Sequence, residues 1–293
     1  MHKLPLATPA RLLGVILAVC LTATAAHSKG PSASAASPGQ SNPAASPNPN
    51  NEMLARAAKL YYSTAKSGLD SFDCALHPDW HTLFVSASKG ATVAEDDSRI
   101  VLLKSVNITI HGKLKGGSTI EWNPAATTDK PLDQDSTALL NSMHSATEQI
   151  LQGFMQFWTP FVDGSTVPDN SEGLVITKTE NGYTIHADTK DTKVTEQMDN
   201  QLILTHFDVV MSEATVRFEP SYKPTEKGLL VNGFLAHILN AGVPPEQAQE
   251  MRVSIEYQDV QGFPIPAQLN MTVEGTGTFN FAFDGCTAQT QAK

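Results

Sequence analysis

The sequence predicts an α+β fold: a large curved antiparallel β-sheet, a half-barrel of about ten strands, covered by two or three helices. Three observations carry this expectation. From about residue 174 onward, segment after segment alternates apolar and polar residues, the period of a half-buried strand. Turn signals separate those segments at hairpin spacing. Two amphipathic helical stretches earlier in the chain can cover the apolar face that such a meander must hide.

The chain opens with Lys3 and Arg11, then the apolar run LLGVILAVCL (12–21), then the small residues TATAA (22–26). That order is the pattern of a secretory signal peptide. Ala23 and Ala25 make a small-x-small site, so residues 1–25 are expected to be removed. The run is about half the roughly 20 residues a spanning helix needs. No later segment is apolar for that length, so no transmembrane span is expected in the mature chain. LAVC also resembles a bacterial lipobox, with Val19 where Gly or Ala normally stands. Cys20 is thus either a lipidated anchor or one more apolar residue of the signal.

Residues 26–51 are almost entirely Pro, Ser, Ala, Asn and Gly. They carry too little apolar surface to offset the entropy of ordering, so they read as a disordered linker. Residues 52–293 contain no second linker and are long enough for one core, a single α+β domain. Loss of Lys3 and Arg11 takes the net charge from −10 to about −12. An acidic surface with no basic run repels phosphate backbones, which excludes nucleic acid as a partner. The mature chain keeps Cys74 and Cys286, and two cysteines in an exported protein suggest one disulfide. The other reading is a pair of free buried thiols.

In chain order, the first helix is expected to start at Asn51 and Glu52. Leu54, Ala57, Ala58, Tyr61 and Ala65 share one face, and Gly68 ends it. Phe72, Cys74 and Leu76 then alternate as a strand. The strand ends in a turn at His77-Pro78-Asp79, after which Trp80, Leu83 and Val85 are expected to bury. Residues 99–114 and 118–123 read as a hairpin turning at Gly116–Gly117. The second helix, about 136–158, is capped by Asp135 or Ser136. It carries the stripe Leu139, Leu140, Met143, Ile150, Leu151, Phe154 and Trp158, and ends at Pro160. Its last turn is aromatic. A hairpin with a turn signal at Asn181–Gly182 follows, then a candidate hairpin over 192–207, further strands and a short helix near 244–249. In the final strand Phe279, Phe281 and Phe283 alternate with polar neighbours. Cys286 breaks that parity, and Gly285 is the expected bulge.

Catalytic chemistry is hard to find. There is no GxSxG, Walker A, GxGxxG or zinc-ligand spacing, so no catalytic residue, metal or cofactor is expected. His77 and His81 share no helix face, and Asp96–Asp97 and Asp188–Asp191 read as solvated loop charges. The seven histidines of the folded region are scattered, with His111, His186 and His206 single on strands.

The order of an N-terminal helix, a strand and a long one-faced meander, with YTIHADTKDTKVTEQMDNQLIL (183–204) at its centre, resembles the periplasmic lipoprotein-carrier (LolA-like) superfamily. The likeness is one of topology over about 52–286. The pattern of Tyr61, Tyr62, Gly68, Leu69, Ser71, Phe72, Cys74 and Pro78–Trp80 also resembles uncharacterised exported bacterial proteins. The resemblance implies a periplasmic or envelope location, soluble or lipid-anchored, and a half-barrel under helices. No residue here matches the arginine that regulates the carriers' cavity. The expected function is binding of a lipid or acyl chain between sheet and helices. Its cavity would be lined by Tyr61, Phe154, Phe157, Trp158, Phe161, Ile255, Met271 and Phe281. The alternative is a non-enzymatic module with a fully packed core that binds another envelope protein.

Overall fold

The structure, a computed structural model, describes residues 48–88, 92–114, 118–124, 132–163, 166–189 and 192–291. The expected signal segment 1–25 with Cys20, the expected linker up to residue 47, the Gly116–Gly117 turn and Asp191 lie outside the described residues. The rest is an α+β fold: a twelve-stranded, wholly antiparallel open sheet with four α-helices among the described residues.

Helix α1 spans Pro49–Ala58 and is capped by the Asn48 side chain, which accepts from Asn50 N–H. It therefore starts inside the expected linker and stops ten residues short of Gly68. The sheet takes the chain away. Tyr62 N–H donates to Leu229 O at 2.9 Å, and Leu229 N–H donates to Leu60 O at 2.7 Å. Gly68 does adopt a left-handed φ of +95°, but it closes the turn leading into β1, Leu69–Pro78.

Helix α2 (Trp80–Ala87) is capped by Asp79, which accepts from Thr82 N–H. Trp80 is buried and Leu83 half-buried, but Val85 faces water, because the segment is a helix and not a strand. Helix α3 (Ser98–Lys104) replaces the start of the strand expected at 99. A short apolar run fits either state, and the Asp97 carboxylate decides by accepting from both the backbone and the guanidinium of Arg99. Strands β2 (Val106–Lys113) and β3 (Thr119–Pro124) follow.

Helix α4 covers Gln134–Asp163. Its first turn is held by Asp133, which accepts from Ser136 N–H, and not by Asp135 or Ser136. It also runs three residues past Pro160. Its end is fixed where Thr64 donates to the Val162 carbonyl from both N–H and hydroxyl.

The remaining strands are β4 (Val175–Thr179), β5 (Gly182–Asp188), β6 (Lys193–Asp199), β7 (Leu204–Val210), β8 (Ala214–Thr225), β9 (Gly228–Asn240), β10 (Gln249–Val260), β11 (Phe263–Val273) and β12 (Gly277–Thr290). A 3₁₀ turn, Pro245–Gln247, stands where the short helix was expected. The first hairpin turns at Glu180–Asn181, one residue earlier than its signal. Gly182 pairs with Thr179 at φ +143°, and a Cβ there would lie 1.9 Å from Met198 O. Only glycine fits.

From β4 to β12 every strand pairs with its successor in sequence. The non-sequential contact is β1 against β12, which joins the N-terminal ribbon β3-β2-β1 to the meander. Cys74 and Cys286 form a disulfide across this seam, 212 residues apart in sequence. The register skips between Asp73↔Thr287 and Ala75↔Asp284, and Gly285 has φ +57°. This is the expected bulge, and it turns the Cys286 side chain to meet Cys74.

Replacing Cys74 and Cys286 by Ala should lower unfolding free energy by about 2–5 kcal/mol, the upper figure from loop entropy alone. Urea midpoints with and without the pair check this. Hydrogen bonds from the Arg99 side chain, then its backbone N–H, hold Asp97 down to about 2 from an ordinary 3.8. Its contribution is complete above about pH 4 and fades as pH falls toward 2. The Tm gap between wild type and Asp97→Asn should therefore be constant near neutrality and close on acidification to pH 2.

Candidate functional site

Helix α4 sets Phe154, Phe157, Trp158 and Phe161 on one face by their i, i+3, i+4, i+7 spacing, and all four are buried. The sheet meets them with Phe207, Phe218 and Phe234. The Phe157 ring centroid lies 3.8 Å from that of Phe234 and 5.7 Å from that of Phe218. Phe161 lies 6.3 Å from Phe207 and 6.5 Å from Tyr222. At the other end Trp158 stands edge-on to Phe72 at 5.9 Å. The result is an aromatic seam along α4, with Phe72, Phe154 and Trp158 in contact at one end and Phe157, Phe161 and the sheet rings up to Tyr222 in contact at the other. Gly112 makes room at the Phe72 end, because a Cβ there would lie 2.3 Å from the ring.

Polar groups in the seam are few and placed. Trp158 Nε1–H donates to the Tyr257 hydroxyl at 2.9 Å, which in turn donates to Val231 O at 2.5 Å. Burial pushes the Tyr257 phenol well up from 10, against the opposing effect of the Trp158 bond. Tyr61 accepts from Leu204 N–H at 2.7 Å and lies edge-on to Tyr222 at 5.4 Å. Burial raises both phenols, Tyr222 more than Tyr61. A single inward row crosses eight strands: Val273, Met251, Ala236, Phe218, Phe207, Glu196, Ile185, Ile176. Glu196 is its one charged member, and it is buried.

The eight residues expected to line a cavity divide into two groups. Tyr61, Phe154, Phe157, Trp158 and Phe161 belong to the seam. Ile255, Met271 and Phe281 are buried on β10, β11 and β12. All eight are buried. Phe281 lines a cavity of about 20 Å³ together with Trp80, Met143 and Ile150. That volume holds about one water, whereas ligand sites measure about 300–1,000 Å³.

The outer face carries the scattered titratable groups. His111 Nδ1 lies 2.6 Å from Asp73 Oδ1, and its Nε2 lies 3.4 Å from Glu121 Oε1 without hydrogen-bond alignment. These are cross-strand neighbours on β1, β2 and β3, and the ring meets carboxylates rather than a hydroxyl or thiol nucleophile. His81 is used between Glu95 (3.1 Å) and Val93 O (3.1 Å), and His186 Nδ1 lies 3.0 Å from Thr195 Oγ1. Among the described residues no three His, Cys, Asp or Glu side chains could hold a metal ion. Gly112, Glu196 and the bonding of Tyr257 were not foreseen. Alternation with Val253 and Ile255 puts Tyr257 on the apolar face, but its partners come from α4 and β9, far away in sequence.

No family model matches the chain, and neither the curated proteins nor the solved structures contain a match to it.

Phe157→Ala should cost about 3–5 kcal/mol, the range for a buried aromatic truncated in a filled core. Gly112→Val should cost about 1–3 kcal/mol by driving Phe72 off its position. Chemical denaturation measures both. A loss below 1 kcal/mol for Phe157→Ala would mean that the seam is loosely packed.

Proposed function

We propose that the protein is an exported, non-enzymatic interaction module of the cell envelope, in which the helix-filled half-barrel is a solid support for surface recognition of another envelope protein. One observation carries this reading: the concave side of the sheet is occupied by the protein's own side chains, with a cavity of about 20 Å³ beside α4. Recognition then falls to the outside, where strands present Thr, Asn, Gln and charged residues. The signal pattern and the Cys74–Cys286 pair support an oxidising, extracytoplasmic location. The acidic surface favours a neutral or basic protein partner and disfavours nucleic acid.

A second reading, binding of a lipid or lipoprotein acyl chain, is favoured by the aromatic walls of the seam. They are contributed by two separable elements, Phe157 and Phe161 on α4 and Phe207, Phe218 and Phe234 on the sheet. An acyl chain could lie there only after the helix withdrew its rings. In the LolA-like carriers that the topology resembles, the site lies between sheet and helices.

Native mass spectrometry of the exported form, fluorescent fatty-acid uptake, and photo-cross-linking in intact cells separate the readings. The module predicts a bare protein mass, no saturable uptake, and a discrete cross-linked partner from probes at the outward positions Glu219 and Ser254. Stoichiometric co-purified lipid would shift support to the carrier. A failure to cross-link from any outer-face position would sink the module.

A further inference from the structure

The hydrogen-bonded ladder is interrupted on both sides of one hairpin. β10 pairs with β9 only from Gln249↔Ile238 to Ser254↔Gly233. β11 pairs with β12 only from Val273↔Gly277 to Gln268↔Ala282. β10 and β11 nevertheless stay paired with each other to their turn at Val260↔Phe263. Residues 257–267 are thus a two-stranded arm without a strand partner on either side. Its causes are local. A register shift opposite Glu256 and Tyr257, where Ala267 is the extra residue, bends β11. Pro264 and Pro266 have no N–H, which removes two donors from β11 along the arm. The tip turns on Gln261 (φ +56°) and Gly262 (φ +87°), the conformation of a tight hairpin.

Two consecutive side chains replace the missing ladders. Tyr257 reaches toward β9, donating to Val231 O while it accepts from Trp158. Gln258 reaches toward β12, and its Nε2 donates to Phe283 O at 2.9 Å and Pro266 O at 3.1 Å. Cys286 Sγ lies 3.3 Å from the same nitrogen. An amide NH₂ has two hydrogens, so the carbonyls saturate it and the sulfur contact is the weak one. Buried Phe263 and Ile265 supply the apolar closure.

We infer that residues 257–267 form a flap that opens as a unit about the Ala267 bulge opposite Glu256–Tyr257, ahead of the rest of the sheet, and uncovers the Trp158 end of the aromatic seam. An element held to its neighbours by side chains can open without breaking a strand–strand ladder, whereas β10 before Ser254 and β11 after Gln268 cannot. Opening breaks the Trp158–Tyr257–Val231 relay first and gives the seam a way out to solvent while α4 stays in place. The flap rests on neither functional reading; under the second it opens one end of the seam, and α4 must still withdraw its rings before an apolar chain can lie there.

Hydrogen–deuterium exchange on the full chain, with its disulfide intact, tests this. Amides within 257–267 should exchange faster than those of 251–254 and 269–272. Tyr257→Phe and, separately, Gln258→Leu should each speed exchange in the arm by about tenfold while leaving those flanks unchanged. Gln258→Leu keeps the Trp158 bond, so the two variants load the two seams independently. Equal exchange of arm and flanks in the wild type would overturn the flap, as would variants that accelerate arm and flanks by the same factor.

Discussion

The inward row that crosses eight strands, from Val273 through Met251, Ala236, Phe218 and Phe207 to Ile176, is the constraint on which the molecule turns. A sheet this wide, apolar on one side and polar on the other, cannot leave that side in water. Hydrophobic burial is worth about 25 cal/mol per Å², and each aromatic ring buries about 150–250 Å². Helix α4 is the element that meets the demand. Its length, its C-terminal cluster of rings and its tie to Thr64 follow from being pressed along that surface. The small N-terminal helices are secondary, filling the corner where β1 ends and α2 continues beside β12.

A broad twisted sheet cannot keep every ladder continuous, and its breaks are costly because buried backbone groups need partners. This chain handles its breaks with side chains and a stray segment. Residues 60–62 bond to Leu229 where β9 lacks β10. Tyr257 serves Val231 O, and Gln258 serves Phe283 O. At the β1–β12 seam the bulge costs a rung, and the disulfide restores a connection there. At the 257–267 arm these side chains stand in for a ladder on both sides.

The proposed function bears on the two faces of the sheet. Rings from α4 pack against the sheet, and under the proposed module reading recognition falls to the outer surface. The histidines and carboxylates of that surface, His111 with Asp73 and Glu121 above all, are engaged with one another across strands. Such cross-strand pairs are an ordinary means of stabilising an exposed sheet face.

The sequence by itself determined what depends on near neighbours. Alternation in VSIEY, LNMTV and FNFAF set those strands and the face each buries, because adjacent side chains in extended chain point opposite ways. The stripe on α4 and the bulge at Gly285 are local in the same sense, and so the half-barrel under helices was legible. Element boundaries were not, because they turn on competition from afar. Tyr61 and Tyr62 continue a helical pattern, yet β9 takes them into the sheet, and Arg99–Lys104 could extend β2 until Asp97 caps it as α3. The site was half legible. The aromatic residues of α4 were visible in the chain, but whether they line a space or fill it depends on the rings opposite. Phe207, Phe218 and Phe234 come from 46 to 80 residues downstream of Phe154–Phe161. Only the tertiary structure decided that question, since the volume between two layers is a property of both and is written in neither alone.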